Sequence, residues 1–189
     1  DEYSRLEDRY NFINNQVNDL YTSLNNLEKT MKKIDEESET TFIETFNKIS
    51  NKYDESIKRL FGGGEGKLIL TNPDSIKDSG VEVMLKIGLK RYRTLKSYSG
   101  GERALAGIAL LLSAYFVKPA PFLLLDEVDA PLDDKNISKF GEMLEEISKE
   151  SQIAIITHNK GTMRYGSKLI GVTSKLEGIS EVVPVDLPG

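Results

Sequence analysis

Apolar residues recur along the start of the chain at Tyr3, Leu6, Tyr10, Ile13, Val17, Leu20, Leu24, Leu27, Met31 and Ile34. Their spacing alternates between three and four residues without a break, the heptad rule with Tyr3 at a and Leu6 at d. The positions between them are mostly Asn, Asp, Glu, Lys, Gln and Ser. This predicts a coiled-coil helix, which at about 1.5 Å per residue extends roughly 50 Å. So narrow a stripe cannot form a core alone, and it calls for a partner strand from outside this sequence. The rule fails at Ser38 and Thr41, where apolar residues were due. We therefore divide the chain into a coiled-coil arm, 1–41, and a globular lobe, 42–189. A broader apolar face, Phe42, Phe46, Ile49, Tyr53, Ile57 and Leu60, predicts that the helix continues into that lobe.

The glycine run Gly62-Gly63-Gly64-Glu65-Gly66 ends the helix. Beyond it the pattern predicts a short strand over Lys67–Leu70, a loop over Asn72–Gly80, and a half-buried strand in which Val81, Val83, Leu85 and Ile87 alternate with polar or longer residues. Glu102–Phe116 is apolar nearly all round, which predicts a deeply buried helix. Phe122–Leu125 and Ile153–Ile156 read as buried strands, with the amphipathic helix Lys135–Lys149 between them. Lys168–Val172 reads as a third buried strand, and Glu181–Asp186 as an edge. Alternating helices and strands predict an α/β fold, a parallel sheet flanked by helices.

Composition narrows the chemistry. The 189 residues carry a net charge of -5, which argues against binding nucleic acid by bulk charge alone and leaves room for a local basic patch. With no cysteine, disulfides, thiol catalysis and Cys-ligated zinc are excluded; one histidine excludes a multi-His metal site. The longest apolar run, Ala104–Val117, falls short of the roughly 20 residues of a membrane helix. The start at Asp1, with no signal-peptide pattern, reads as a cytoplasmic fragment of a longer protein.

Several short segments carry candidate chemistry. Gly62–Lys67 imitates a phosphate-binding loop, but Phe61 and Leu68 stand where glycine and Ser/Thr are required, and the segment joins helix to strand in the wrong order. Ser99-Gly100-Gly101-Glu102 opens the long apolar helix, where N–H groups and the helix dipole suit an anionic oxygen such as a γ-phosphate. Taken alone, the same residues suit a capping serine in a tight turn. Asp126 and Glu127 end a buried strand, the edge at which α/β sheets bind ligands. An Asp there can hold magnesium and an adjacent acid can activate water; an acidic turn is the plainer alternative. Asp129, Asp133 and Asp134 follow, giving a candidate magnesium-facing loop. His158 ends the next strand, near enough to approach Glu127 if the two strands are neighbours. Alone, it would also serve as a structural histidine. Lys86, Lys90, Arg91, Arg93 and Lys96, with Tyr92, form a basic stretch that suits a phosphate backbone or a solvated loop.

The order of these segments resembles an ABC-type ATPase head: signature motif, Walker B, D-loop and switch histidine. The spelling of Phe61–Gly64, Tyr98–Leu105, Pro121–Asp134 and Ile156–Lys160 resembles the SMC family, the chromosome-organising ATPases of condensin and cohesin type. Two positions depart from it: Tyr98, where the family usually has Leu, and Pro131, where Ala is common. No Walker A pattern occurs. The resemblance implies the carboxy-terminal lobe of an SMC head with the base of its returning arm, inactive alone because Walker A lies in the amino-terminal half. It further implies ATP and Mg2+ as cofactors and ATP hydrolysis in the assembled head. By the same resemblance Asp126 holds magnesium through water, and Glu127 activates the attacking water. His158 contacts the γ-phosphate. Ser99, Gly100, Gly101 and Glu102 bind nucleotide held by another head, and Asp133 is a D-loop contact between heads. The implied partners are the amino-terminal half, a second head in an ATP-dependent dimer, a kleisin subunit and DNA, with no membrane. The implied setting is chromosome condensation and segregation, in the cytoplasm at the nucleoid.

Two other readings remain at this level. A coiled-coil ATPase of double-strand-break repair shares the motifs but usually has Pro-Thr after the Walker B acids, where this chain has Val128-Asp129. A non-catalytic interaction module would not need both Glu127 and His158.

Overall fold

The structure is a computed structural model describing residues 1–88, 91–176 and 179–186. Internal contacts divide the chain into two units, Asp1–Thr45 and Phe46–Gly189. The first unit is helical throughout, part of α1 (Glu2–Phe61). All ten heptad residues are exposed there, from Val17 at 40% to Tyr3 at 81%. Their apolar stripe finds no cover among the described residues.

In the second unit α1 turns from exposed to buried: Tyr53, Ile57 and Leu60 have no accessible surface, with Phe46 and Ile49 packed against the same cluster. Gly62, Gly63 and Gly64 then take φ of 67°, 135° and 101°, a left-handed region costly for residues with a Cβ. The Gly63 N–H donates to the Lys58 carbonyl at 3.0 Å, and Lys139 Nζ donates to the Leu60 carbonyl at 2.8 Å. The glycine run is thus a helix stop, with the Lys58 and Leu60 carbonyls satisfied. A Cβ on Gly64 would fall 2.7 Å from the Lys86 carbonyl oxygen, so the following strands can close in only because it is glycine.

Those strands, β1 (Glu65–Leu70), β2 (Val81–Lys86) and β3 (Arg93–Thr94), form an antiparallel sheet. Glu65 faces Lys86 in the β1–β2 register, and their side chains pair at 2.6 Å. Tyr92 donates to the other Glu65 oxygen at 2.6 Å. Lys86 and Tyr92 of the basic stretch are therefore engaged by Glu65. Lys90 lies outside the described residues.

Helix α2 (Gly100–Val117) buries Leu105, Ala106, Ile108, Ala109 and Leu112, while Leu111 is exposed. It is buried along one side, not all round as its composition predicts. Strand β4 (Phe122–Asp126) pairs in parallel with β5 (Gln152–Ile156), and α3 (Asp134–Ser148) connects them, burying Ile137, Phe140, Met143, Leu144 and Ile147. The core joins these residues to Tyr53, Ile57, Leu85 and the buried side of α2. The short helix α4 is Lys160–Met163, and β6 (Lys168–Leu176) pairs antiparallel with β7 (Ile179–Asp186).

The α/β class holds, but the expected parallel sheet is present only in part: among the described residues β4 and β5 are parallel, and the other two sheets are antiparallel. Lys168–Val172 is not a third buried parallel strand: it pairs with β7, leaving Ile170 and Val172 exposed. An apolar run reports that a strand wants cover, not which neighbour supplies it. On β4–β5 the core-facing side holds Leu125, while Phe122 and Leu124 are 70% and 68% exposed and Ile156 is 56% exposed.

Candidate functional site

The parallel register ends at the pair Asp126–Ile156. One residue further, the Glu127 N–H donates to the Ile156 carbonyl at 2.8 Å. Glu127 itself has φ of 46°, the only positive φ at a non-glycine position among the described residues. A left-handed glutamate costs about 1–3 kcal/mol and persists where its surroundings hold it, a pattern that concentrates at functional sites. The backbone turns sharply at the strand end and presents the carboxylate to solvent.

His158 follows β5 on the neighbouring strand. Its Nδ1 lies 3.8 Å from Glu127 Oε1, with the two side chains 74% and 60% exposed. That separation is longer than a hydrogen bond, so the pair is close without being locked together. Asp126 is exposed at the same edge. Parallel pairing of β4 with β5 is what brings Asp126, Glu127 and His158 to one end of one sheet.

The segment Ser99-Gly100-Gly101-Glu102 caps and opens α2. Ser99 is the N-cap of a capping box: its hydroxyl accepts from the Glu102 N–H at 3.4 Å, and the Glu102 carboxylate accepts from the Ser99 N–H at 2.9 Å. The Ser99 hydroxyl also donates to that carboxylate at 2.9 Å. The sequence alternative of a capping serine is thus present in full. Glu102 places its carboxylate over the positive end of the helix, where an external anion would also be drawn. A Cβ on Gly100 would meet nothing within 4 Å, so the backbone there is open to approach. A Cβ on Gly101 would lie 3.7 Å from the Pro131 carbonyl oxygen, which sets the start of α2 beside the loop after β4. Tyr98, just before the cap, is buried and donates to the Leu85 carbonyl at 2.6 Å, so its extra hydroxyl has a partner. Burial is the main cause of its raised pKa.

The aspartates after β4 have separate tasks. Asp133 N-caps α3, its Oδ1 accepting from the Asn136 N–H at 2.8 Å. Asp134 begins that helix. Asp129 is only 1% exposed and accepts from the Thr157 hydroxyl at 2.6 Å and from the Thr162 hydroxyl. The three do not form a magnesium-facing loop, and no metal-holding cluster of three or more acidic or histidine side chains occurs among the described residues. Spacing in sequence could not reveal this, because a turn sends successive residues in different directions. The Thr157 and Thr162 hydroxyls were missed for the same reason.

Comparison with known proteins places this geometry. A family model described as "RecF/RecN/SMC N terminal domain" matches residues 5–181. The chain belongs to the SMC family. It is 42% identical over 185 residues to the chromosome partition protein Smc of Myxococcus xanthus, covering 98% of this chain and 15% of that protein. The chain thus spans about a sixth of the length of such relatives. Its fold is similar to the Smc head domain with an extended coiled coil from Pyrococcus furiosus, bound to the C-terminal domain of ScpA: TM-score 0.81, 34% identity, 98% of this chain and 46% of that one. It is also similar to a structure from work on ATP-driven dimerization and DNA stimulated activation of SMC ATPases. There the TM-score is 0.71 at 37% identity, over 78% of this chain and 89% of that one.

The match corrects two expectations. The matched domain is described as amino-terminal, which overturns the placement of this SMC chain as the carboxy-terminal half of a head. The expectation that the chain is inactive alone, because Walker A lies in the other half, depended on that placement and is withdrawn with it. The direction in which a helix enters a globular unit is a local feature. Local features do not fix where a segment lies in a longer protein.

Proposed function

We propose that this chain is part of the ATP-hydrolysing head of an Smc protein acting in chromosome partition. The observation that carries the proposal is the approach of Glu127 and His158 at the carboxyl end of the parallel β4–β5 pair, 3.8 Å apart. At a ligand-binding sheet edge, a carboxylate can accept the proton of an attacking water, and an imidazole can hold a proton toward a phosphate oxygen. Glu127 takes the first role and His158 the second. The left-handed turn at Glu127 aims the base outward from the strand end, ahead of the substrate's arrival.

Asp126 is the residue that would hold Mg2+. A lone exposed aspartate fits this ion, which keeps several waters and shares its remaining positions with substrate phosphates. When bound, it would neutralise developing charge on the phosphates.

Ser99, Gly100 and Gly101 would meet the nucleotide of a second head, whose phosphate would compete with Glu102 for the positive end of α2. Asp133 would lie between the heads while capping α3. The apolar face of β4–β5, with Phe122, Leu124 and Ile156 exposed, would be covered by the remainder of the head. The arm, 1–41, would pair with a returning strand of coiled coil through its exposed heptad stripe. A kleisin and DNA would be further partners, at the nucleoid in the cytoplasm. Support for this reading comes from relatives named for chromosome partition and from heads solved with ScpA.

Substitution Glu127→Gln in the full-length protein tests the central role. ATP binding is expected to survive while turnover falls by about 10²- to 10⁴-fold, the usual worth of a general base. Turnover at the wild-type rate would remove Glu127 from the chemistry.

A further inference from the structure

Asp129 is the most deeply buried acidic side chain described, 1% exposed, and among the described residues no basic side chain forms an ion pair with it. Its Oδ2 accepts from two hydroxyls, Thr157 and Thr162. Asp129 lies in the loop after β4; Thr157 begins the loop after β5, and Thr162 lies in α4. The carboxylate is thus a clamp between the two segments that carry Glu127 and His158.

The clamp continues on both sides. Thr157 Oγ1, while donating to Asp129, accepts from the Asn159 N–H at 2.9 Å. Asn159 in turn N-caps α4, its Oδ1 accepting from the Gly161 N–H at 2.8 Å. His158 sits between Thr157 and Asn159, so its backbone is pinned on both flanks. On the other side, the Ala130 N–H donates to the Glu127 carbonyl at 3.2 Å and the Leu132 N–H to the Asp129 carbonyl at 3.0 Å. These turns hold Glu127 in its left-handed conformation. A buried carboxylate without a counter-ion is expensive, and hydrogen bonds from both hydroxyls offset that cost only while both loops stay in place.

We propose that Asp129 is a positioning residue for ATP hydrolysis, holding Glu127 and His158 in their working separation by tying Thr157 and Thr162 to the loop after β4. It touches neither water nor phosphate itself. This rests on the proposed role of Glu127 as the base.

The test is a double-mutant cycle in the full-length protein, using Asp129→Asn, Thr157→Val and Glu127→Gln, with kcat and KM for ATP measured for each. Asp129→Asn and Thr157→Val are expected to lower kcat by up to about 100-fold, the effect of misplacing a catalytic group by about 1 Å, with KM within about twofold. On the Glu127→Gln background, either substitution should cost much less, since only the positioning of His158 is left to lose. A loss of the same size on both backgrounds would mean that Asp129 only supports the fold, and would overturn the proposal. So would a wild-type kcat in Asp129→Asn when Glu127→Gln is impaired. If Glu127→Gln itself turns over normally, the failure lies with the base assignment, and the positioning role falls with it.

Discussion

The Glu127 N–H donates to the Ile156 carbonyl at 2.8 Å, one step beyond the last register pair of the parallel strands. The ladder is thereby extended onto a residue that has already left strand geometry, with φ of 46°. A side chain at this position is held against its own backbone preference.

The strain can be measured apart from the chemistry by comparing Glu127→Gly with Glu127→Ala. Both variants lose the carboxylate and should lose turnover alike. Glycine adopts left-handed φ without the Cβ penalty of about 1–2 kcal/mol. Thermal unfolding of the head should therefore show the glycine variant to be the more stable, by about 1 kcal/mol once the extra entropy of glycine is subtracted. A more stable alanine variant would mean that the turn is not strained.

Substitutions can separate the capping role of Ser99 from the nucleotide-binding role proposed for it. Losing the cap in Ser99→Ala should destabilise the head by about 1 kcal/mol and leave room for a phosphate. Ser99→Arg fills the space over Gly100 as well. ATP-dependent pairing of heads, followed by size-exclusion chromatography, should survive the first substitution and fail in the second, with ATP still bound to each head. Pairing by the arginine variant would remove the signature segment from the interface.

The Glu65–Tyr92 hydrogen bond makes stability depend on alkaline pH. It pushes the Tyr92 hydroxyl up from 10.0 to about 12, chiefly because the neighbouring carboxylate favours the protonated phenol. Between pH 10 and 12 the folded chain keeps a proton that the unfolded chain has released, so stability falls as pH rises through that window. The contribution is fully present below pH 10. Tyr92→Phe should lower stability at pH 8 and flatten the decline between pH 10 and 12 in denaturant titrations. An unchanged slope would show that solvent screening at this exposed site erases the link.

Element types were legible wherever a local pattern was strong. The unbroken three-four spacing from Tyr3 to Ile34 specified a helix with one apolar stripe. The alternation from Val81 to Ile87 specified a strand. Ser99-Gly100-Gly101-Glu102 specified the start of a helix, and the three glycines after Phe61 specified the end of one. Each rests on neighbours within a few residues, where backbone geometry and side-chain direction are set by the chain itself.

Tertiary structure decided what lies across from what. The apolar run at Lys168–Val172 predicted burial in a parallel sheet, yet β6 pairs antiparallel with β7, because hydrophobicity names no partner. Glu127 and His158, far apart in sequence, meet only because β4 and β5 are adjacent and parallel. Asp129 looked like one more acid in an acidic loop; its turn inward to two threonine hydroxyls depends on a second loop closing over it. Residue types set which bonds a side chain can make, and local spacing sets the elements. Which bonds form between distant residues is chosen by packing, since each pairing must be satisfied together with every other around the same core.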